Sequence, residues 1–142
     1  MARVRIDPPE PILFTTDLVV RIDDVNYGGH MGNDAILRYA HEVRLRFLQH
    51  FGMTEMDAGG EGIIMADAAI SYKSEAFHGD ALHAQLGIRD FSNFGCDLVY
   101  RFRHADGRDV ALVKTGIVFF DYEKRELRPV PAGFRSRLKI AP

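Results

Sequence analysis

Only one stretch of this chain carries helical periodicity, and that restricts the folds open to it. Ile36, Tyr39, Ala40, Val43 and Phe47 fall on a single stripe at the spacing of a 3.6-residue turn, with Arg38, Glu42 and Arg46 elsewhere on the cylinder. Asn33 or Asp34 is placed to cap the start, and Gly52 sits where a left-handed residue ends a helix. Leu37, Leu45 and Leu48 make the segment apolar on more than one side, so it is expected to be largely buried. Everything around it has strand texture. Leu13 to Ile22, Gly62 to Tyr72, Ala81 to Phe91, Ser92 to Arg103 and Val110 to Asp121 are rich in apolar and β-branched residues. His78-Gly79-Asp80 and Ala105 to Arg108 break those runs, and Asp106-Gly107 is a hairpin signal because glycine accepts a positive φ. One strand, one long helix and four strands in meander order make an α+β domain, an antiparallel five-stranded sheet wrapped around a central helix. Residues 1–142 read as one domain, with 1–12 an irregular lead-in marked by Pro8, Pro9 and Pro11, and 132–142 a C-terminal tail.

Composition narrows the function classes. With 142 residues, 46% of them hydrophobic, the chain can build a core without disulfides or a structural metal. A net charge of -2 argues against a nucleic-acid binder, which would carry a basic stripe. The lone Cys96 excludes an intrachain disulfide and a cysteine zinc cluster, and reads as a small buried hydrophobe. The first eleven residues lack the apolar run of a secretory signal, and no stretch approaches the roughly 18 apolar residues of a membrane span. The expectation is a cytoplasmic protein with no nucleic-acid or membrane partner.

The densest cluster of polar and glycine residues lies between the first strand and the helix, in Asp23 to Asn33. A helix start offers unpaired N–H groups and a favourable dipole to an anion or a polarised carbonyl. Gly28, Gly29 and Gly32 would allow close backbone approach, while Asp24, Asn26, His30 and Asn33 add polar side chains. The same residues would equally make a turn and a cap, and spacing does not decide between the two. His30 could act as an acid or base, or simply tie the loop down. Glu42 and Arg46 read as an i, i+4 ion pair or interface contact. His78 and His83 lack the further ligands a metal needs, so no metal site is expected. Phe91, Phe94, Phe102, Phe119 and Phe120 read as core and interface residues, some of which could line a ligand tunnel. Residues 123–142 hold six basic and two acidic residues, a solvated tail or a surface for phosphates.

Asp24-Val25-Asn26-Tyr27-Gly28-Gly29-His30-Met31-Gly32-Asn33, followed by Leu37 and His41-Glu42-Val43-Arg44, resembles the opening of hotdog-fold thioesterases of the 4-hydroxybenzoyl-CoA thioesterase type. Tyr72 to Asp80 resembles that family's link between its second and third strands, and Val110 to Asp121 with Pro129-Val130-Pro131 its last strand and exit. The likeness spans most of Leu13 to Pro131. It implies a hydrolase that splits an acyl-CoA or acyl-carrier thioester into a carboxylic acid and a thiol, without a cofactor, as a homodimer or homotetramer with sites at the subunit interface. The resemblance makes Asn26, His30 and Asp24 the catalytic candidates, with Tyr27, Gly29, Met31, Gly32 and Asn33 against the substrate. One position departs from the pattern. Asp24 aligns with the motif's first acidic residue, but Asn26 stands where many members carry the reacting carboxylate, and an amide neither ionises nor attacks. Asn26 could orient water or bond the thioester carbonyl; a base would come from Asp24, Asp34, Glu61 or Asp67. The same departure motivates the alternative of a non-hydrolytic acyl-CoA-binding hotdog protein. A hotdog hydratase or dehydratase ranks last.

Overall fold

The computed structural model of the chain describes residues 3–140. Strand β1 (Phe14–Val19) leads through a single 3-10 turn, Ile22–Asp24, and a loop into helix α1 (Asn33–His50). Strands β2 (Gly62–Tyr72), β3 (Ala81–Arg89), β4 (Gly95–His104) and β5 (Asp109–Asp121) follow, then the two-residue β6 (Glu126–Leu127) and helix α2 (Ala132–Arg137). All pairings are antiparallel, in the order β1-β3-β4-β5-β2 with β6 on β5. The sheet therefore has six strands rather than five. Asp121 Oδ1 accepts the N–H groups of Glu123 and Lys124, which folds the chain back so that Leu127 pairs with Phe120.

Register explains the core. Leu86 sits opposite Tyr100, Tyr100 opposite Val113 and Val113 opposite Ile70, so alternate residues of four strands face α1 on one side of the sheet. The helix answers with the stripe read from its periodicity: Ile36, Tyr39, Ala40, Val43 and Phe47 are all buried. Its end also follows expectation, since Gly52 takes a φ of 74° just past the C-cap Phe51. Gly107 does the same in the β4–β5 hairpin at 92°.

Three further expectations fail. The four later strands are not a meander, because β2 pairs with β5 rather than with β3. Leu48 is buried, but Leu37 and Leu45 are each 41% exposed, so α1 is not buried on all sides. One sheet can cover only one face of a helix. Residues 132–140 are not a solvated tail either, because Phe134 and Leu138 join the main core and Phe134 stacks edge-on against Phe119 at 4.9 Å; 141 and 142 lie outside the described residues. Among the basic residues there, Arg137 donates to the Gly52 carbonyl and Arg135 lies 3.9 Å over the Phe91 ring. At the other end, residues 3–12 form no helix or strand, and Arg89 holds the Asp7 and Pro8 carbonyls.

Candidate active site

Residues 25–32 form a compact, backbone-bonded loop. Val25 and Met31 make an isolated antiparallel bridge, the Asn26 N–H donates to the His30 carbonyl, and the Gly29 N–H donates to the Asn26 carbonyl. The Asn26 side chain closes an Asx turn by accepting the Gly28 N–H at 2.9 Å. Met31 ties the loop to the β2–β3 link through Ala76, and the Gly32 N–H donates to the Asp24 carbonyl at 2.9 Å. The loop's shape thus rests on hydrogen bonds that glycine and asparagine make possible.

Asp24 anchors this loop to the helix. Its side chain is 4% exposed, and its oxygens already take the Arg38 guanidinium at 2.8 Å, the Tyr39 hydroxyl at 2.5 Å and the Arg21 N–H at 3.3 Å. Burial pushes its carboxyl up, but these three donors outweigh burial and hold it below the ordinary carboxylate range. Burial and the neighbouring carboxylate drive the Tyr39 hydroxyl upward in turn. Asp24 faces the Arg38–Tyr39 side of α1, away from the cleft described next.

That cleft, of about 290 Å³, opens where the α1 start meets the end of β2. One wall is His30, Met31, Gly32 and Asn33 with Ile36; the other is Tyr72 to Ala76. Gly32, not Asn33 or Asp34, is the N-cap, and no side chain caps the helix. Asn33 and Asp34 are its first two residues, so their N–H groups precede any intrahelical acceptor. The Tyr72 hydroxyl donates to the Asn33 carbonyl at 2.7 Å and clasps the helix start to the sheet edge. Burial and the Asp34 charge raise that phenol above its usual range. His30 Nδ1 lies 3.1 Å from the Met31 carbonyl; a proton on Nδ1 donated there leaves Nε2 as the acceptor.

Four of the eight residues expected at the site meet in the cleft: His30, Met31, Gly32 and Asn33. Asn26, Tyr27, Gly29 and Asp24 do not line it, and Tyr27 points fully into solvent. Glu61 bonds Arg128, and Asp67 bonds Lys114 and the Gly116 N–H on the sheet's other face. Tyr72, Lys73 and Glu75 were not expected as site residues. Their signal was the Tyr72–Asp80 stretch, read only as a strand link, because contact with a helix start 39 residues earlier leaves no local pattern.

Elsewhere, Cys96 is buried and its thiol is pushed up to about 12 by that burial, so it stays a neutral hydrophobe. Glu42 and Arg46 form the expected ion pair at 2.7 Å. His83 is bonded to Asp17, and no group of three or more His, Cys, Asp or Glu among the described residues is arranged to hold a metal ion. Among those residues no helix is long and apolar enough to cross a membrane.

Comparison with known proteins agrees with this architecture. The structure superimposes on a 1,4-dihydroxy-2-naphthoyl-CoA thioesterase from Synechocystis with a TM-score of 0.80 at 21% identity, covering 89% of this chain and 95% of that one. The gentisyl-coenzyme A thioesterase BH1999 gives a TM-score of 0.77 at 18% identity over 88% and 99% of the two chains. The Staphylococcus aureus protein SAV2348, solved in complex with CoA, gives 0.80 at 17% identity over 95% and 86%. At such identities the likeness establishes the hotdog fold. A sequence search of curated proteins finds no match. The family model described as the Thioesterase-like superfamily matches residues 20–138, so this chain belongs to that superfamily and is a hotdog-fold thioester hydrolase.

Proposed function

We propose that the protein hydrolyses an acyl-CoA thioester to the free acid and CoA thiol, in the cleft between the α1 start and the end of β2, as a homodimer. The observation that carries this reading is the uncapped helix start, Gly32 and Asn33, opening into a cleft that also holds His30. With the Gly32 N–H bonded to the Asp24 carbonyl, the N–H groups of Asn33 and Asp34 stabilise the negative charge that develops on the thioester oxygen when water attacks, at no reorganisation cost because the helix already points them. His30 Nε2 orients the reacting groups. Asn26 and Asp24 contribute by holding the loop, Asn26 through its Asx turn and Asp24 through Arg38 and Tyr39. Tyr27 and Gly29 serve the substrate from the loop's outer face. A cleft of about 290 Å³ in one subunit has room for a short or single-ring acyl group. The aryl-CoA substrates named for two similar structures agree with that reading. The dimer rests on the exposed Leu37 and Met65 beside the open edge of β2, which needs covering.

The test is free-thiol release from acyl-CoAs running from acetyl to palmitoyl, with benzoyl and hydroxybenzoyl esters. Turnover highest on the short or aromatic esters is expected. Binding of the same ligands, seen as thermal stabilisation without thiol release, would replace hydrolysis with the acyl-CoA-binding reading that Asn26 suggests.

A further inference from the structure

The proposed reaction still lacks a base, and one side-chain cluster outside the cleft has the geometry of an oriented one. His41, on α1, is half exposed, and its Nε2 lies 3.0 Å from Glu55 Oε1. Glu55 Oε2 accepts from Arg44 Nε at 2.9 Å. Arg44 is only 5% exposed, and a second nitrogen of its guanidinium donates to the buried Tyr100 hydroxyl at 3.2 Å, which in turn meets Thr115 Oγ1 at 2.8 Å. A string of five side chains thus runs from inside the sheet to one imidazole at the surface. Burying a guanidinium is costly unless it is bonded, and here one bond holds Glu55 from behind while the other anchors the guanidinium to Tyr100. With its Nε2 proton donated to that carboxylate, His41 keeps the lone pair of Nδ1.

Within one chain His41 is eight residues beyond Asn33, about 12 Å along the axis, too far to serve a carbonyl at the helix start. A second copy closes that gap. The exposed face of α1 carries Leu37 and His41, while β2, at the sheet's edge, exposes residues 65–68. The two features lie level with each other. Tyr72 bonds Asn33, and Met65 shares a cleft with Leu37, His41 and Arg44, so Leu37 stands beside the strand between positions 65 and 72. One two-fold axis through Leu37 and the middle of that exposed strand lays the two α1 helices antiparallel and pairs the two β2 edges. It sets Asn33 of one copy opposite the partner's His41.

Resting on the thioesterase reading above, we infer that His41 is the general base of the reaction, acting across the dimer, and that Glu55 is its positioning residue. His41 Nδ1 takes a proton from water as the water oxygen bonds to the thioester carbon. The carbonyl electrons move to the oxygen held at the other copy's helix start. Collapse of that intermediate breaks the C–S bond, and the imidazolium returns the proton to the departing CoA sulfur, leaving acid, thiol and the starting histidine.

The experiment is steady-state thiol release by the wild type, His41→Ala, Glu55→Gln and Glu75→Gln, with each variant's melting temperature and mass in solution. His41→Ala is expected to lose about 100-fold in kcat and to recover part of it in added imidazole, a rescue that a merely misfolded variant would not show. Glu55→Gln is expected to lose about tenfold in kcat with KM little changed. A wild type that hydrolyses while His41→Ala stays within threefold of it overturns the dyad alone, the more so if Glu75→Gln, on the cleft's own wall, abolishes turnover. An active monomer overturns it too, because the dyad cannot reach the site in its own chain. Silence of the wild type on every ester removes the thioesterase reading and the dyad with it.

Discussion

The sharpest test of the loop's construction is Asp24→Asn. The carboxylate lies buried against Tyr39, Arg38 and the Arg21 N–H, and the substitution keeps its shape while removing its charge. One oxygen remains to take Arg38, with a weaker bond. The other becomes an NH2 group, so the Arg21 N–H loses its acceptor and the Tyr39 hydroxyl must turn to accept. Bonds to a charged group are worth about 1.5–3 kcal/mol each, and one such bond is lost outright, so the cost is about 2–3 kcal/mol. At roughly 3 °C per kcal/mol for a domain of this size, the melting temperature should fall by about 6–9 °C at pH 7. The pH dependence has a definite sign. Because the folded carboxyl sits below its ordinary value, its contribution is present above pH 4 and is lost as pH falls through the folded value. The gap between wild type and variant should therefore narrow on acidification below about pH 4. Thermal melts from pH 7 downward, alongside thiol release, read both quantities. An unchanged melting temperature with turnover down more than 100-fold would show that Asp24 reacts rather than anchors.

Three further outcomes are expected. Phe134→Ala should cost about 3–5 kcal/mol by emptying the contact with Phe119, and limited proteolysis should then cut first near α2; a variant as stable as the wild type would mean the C-terminal helix is not part of the core. Tyr72→Phe removes the clasp on the Asn33 carbonyl, about 1 kcal/mol, and should lower kcat/KM about fivefold with the fold intact, whereas an unchanged kcat/KM would take the clasp out of the site. Asn26→Asp keeps the Asx turn, since a carboxylate oxygen also accepts the Gly28 N–H, and adds an ionisable group to the loop behind the Gly32 wall of the cleft. It should raise turnover and restore part of what His41→Ala loses; no gain in either background would separate the loop position from the chemistry.

The helix and its start were legible in the chain because their causes are local. A 3.6-residue stripe, a glycine after the last turn and a polar loop before the first decide α1 within a few residues of where they stand, and the apolar, β-branched runs between turn residues do the same for β2 to β5. The family likeness was carried by that same local loop. Asp24 and Asn26 show the limit of such reading. Both look like chemistry in sequence, yet the fold turns one into a buried anchor and the other into a turn closure, because hydrogen-bond donors 14 and 15 residues away, Arg38 and Tyr39, claim the carboxylate.

What only the tertiary structure decided lies at long separations. The β2 end that walls the cleft, the Phe134 helix that completes the core and the glutamate that orients His41 all depend on residues brought together by strand order and register. Those contacts leave no periodicity behind, since closing a long loop places no constraint on the residues inside it. Local periodicity and turn chemistry made this chain a sheet around one helix with a polar loop at its start. Which side chains face that helix start was settled by packing between distant segments, where burial and hydrogen-bond satisfaction act on the whole fold at once.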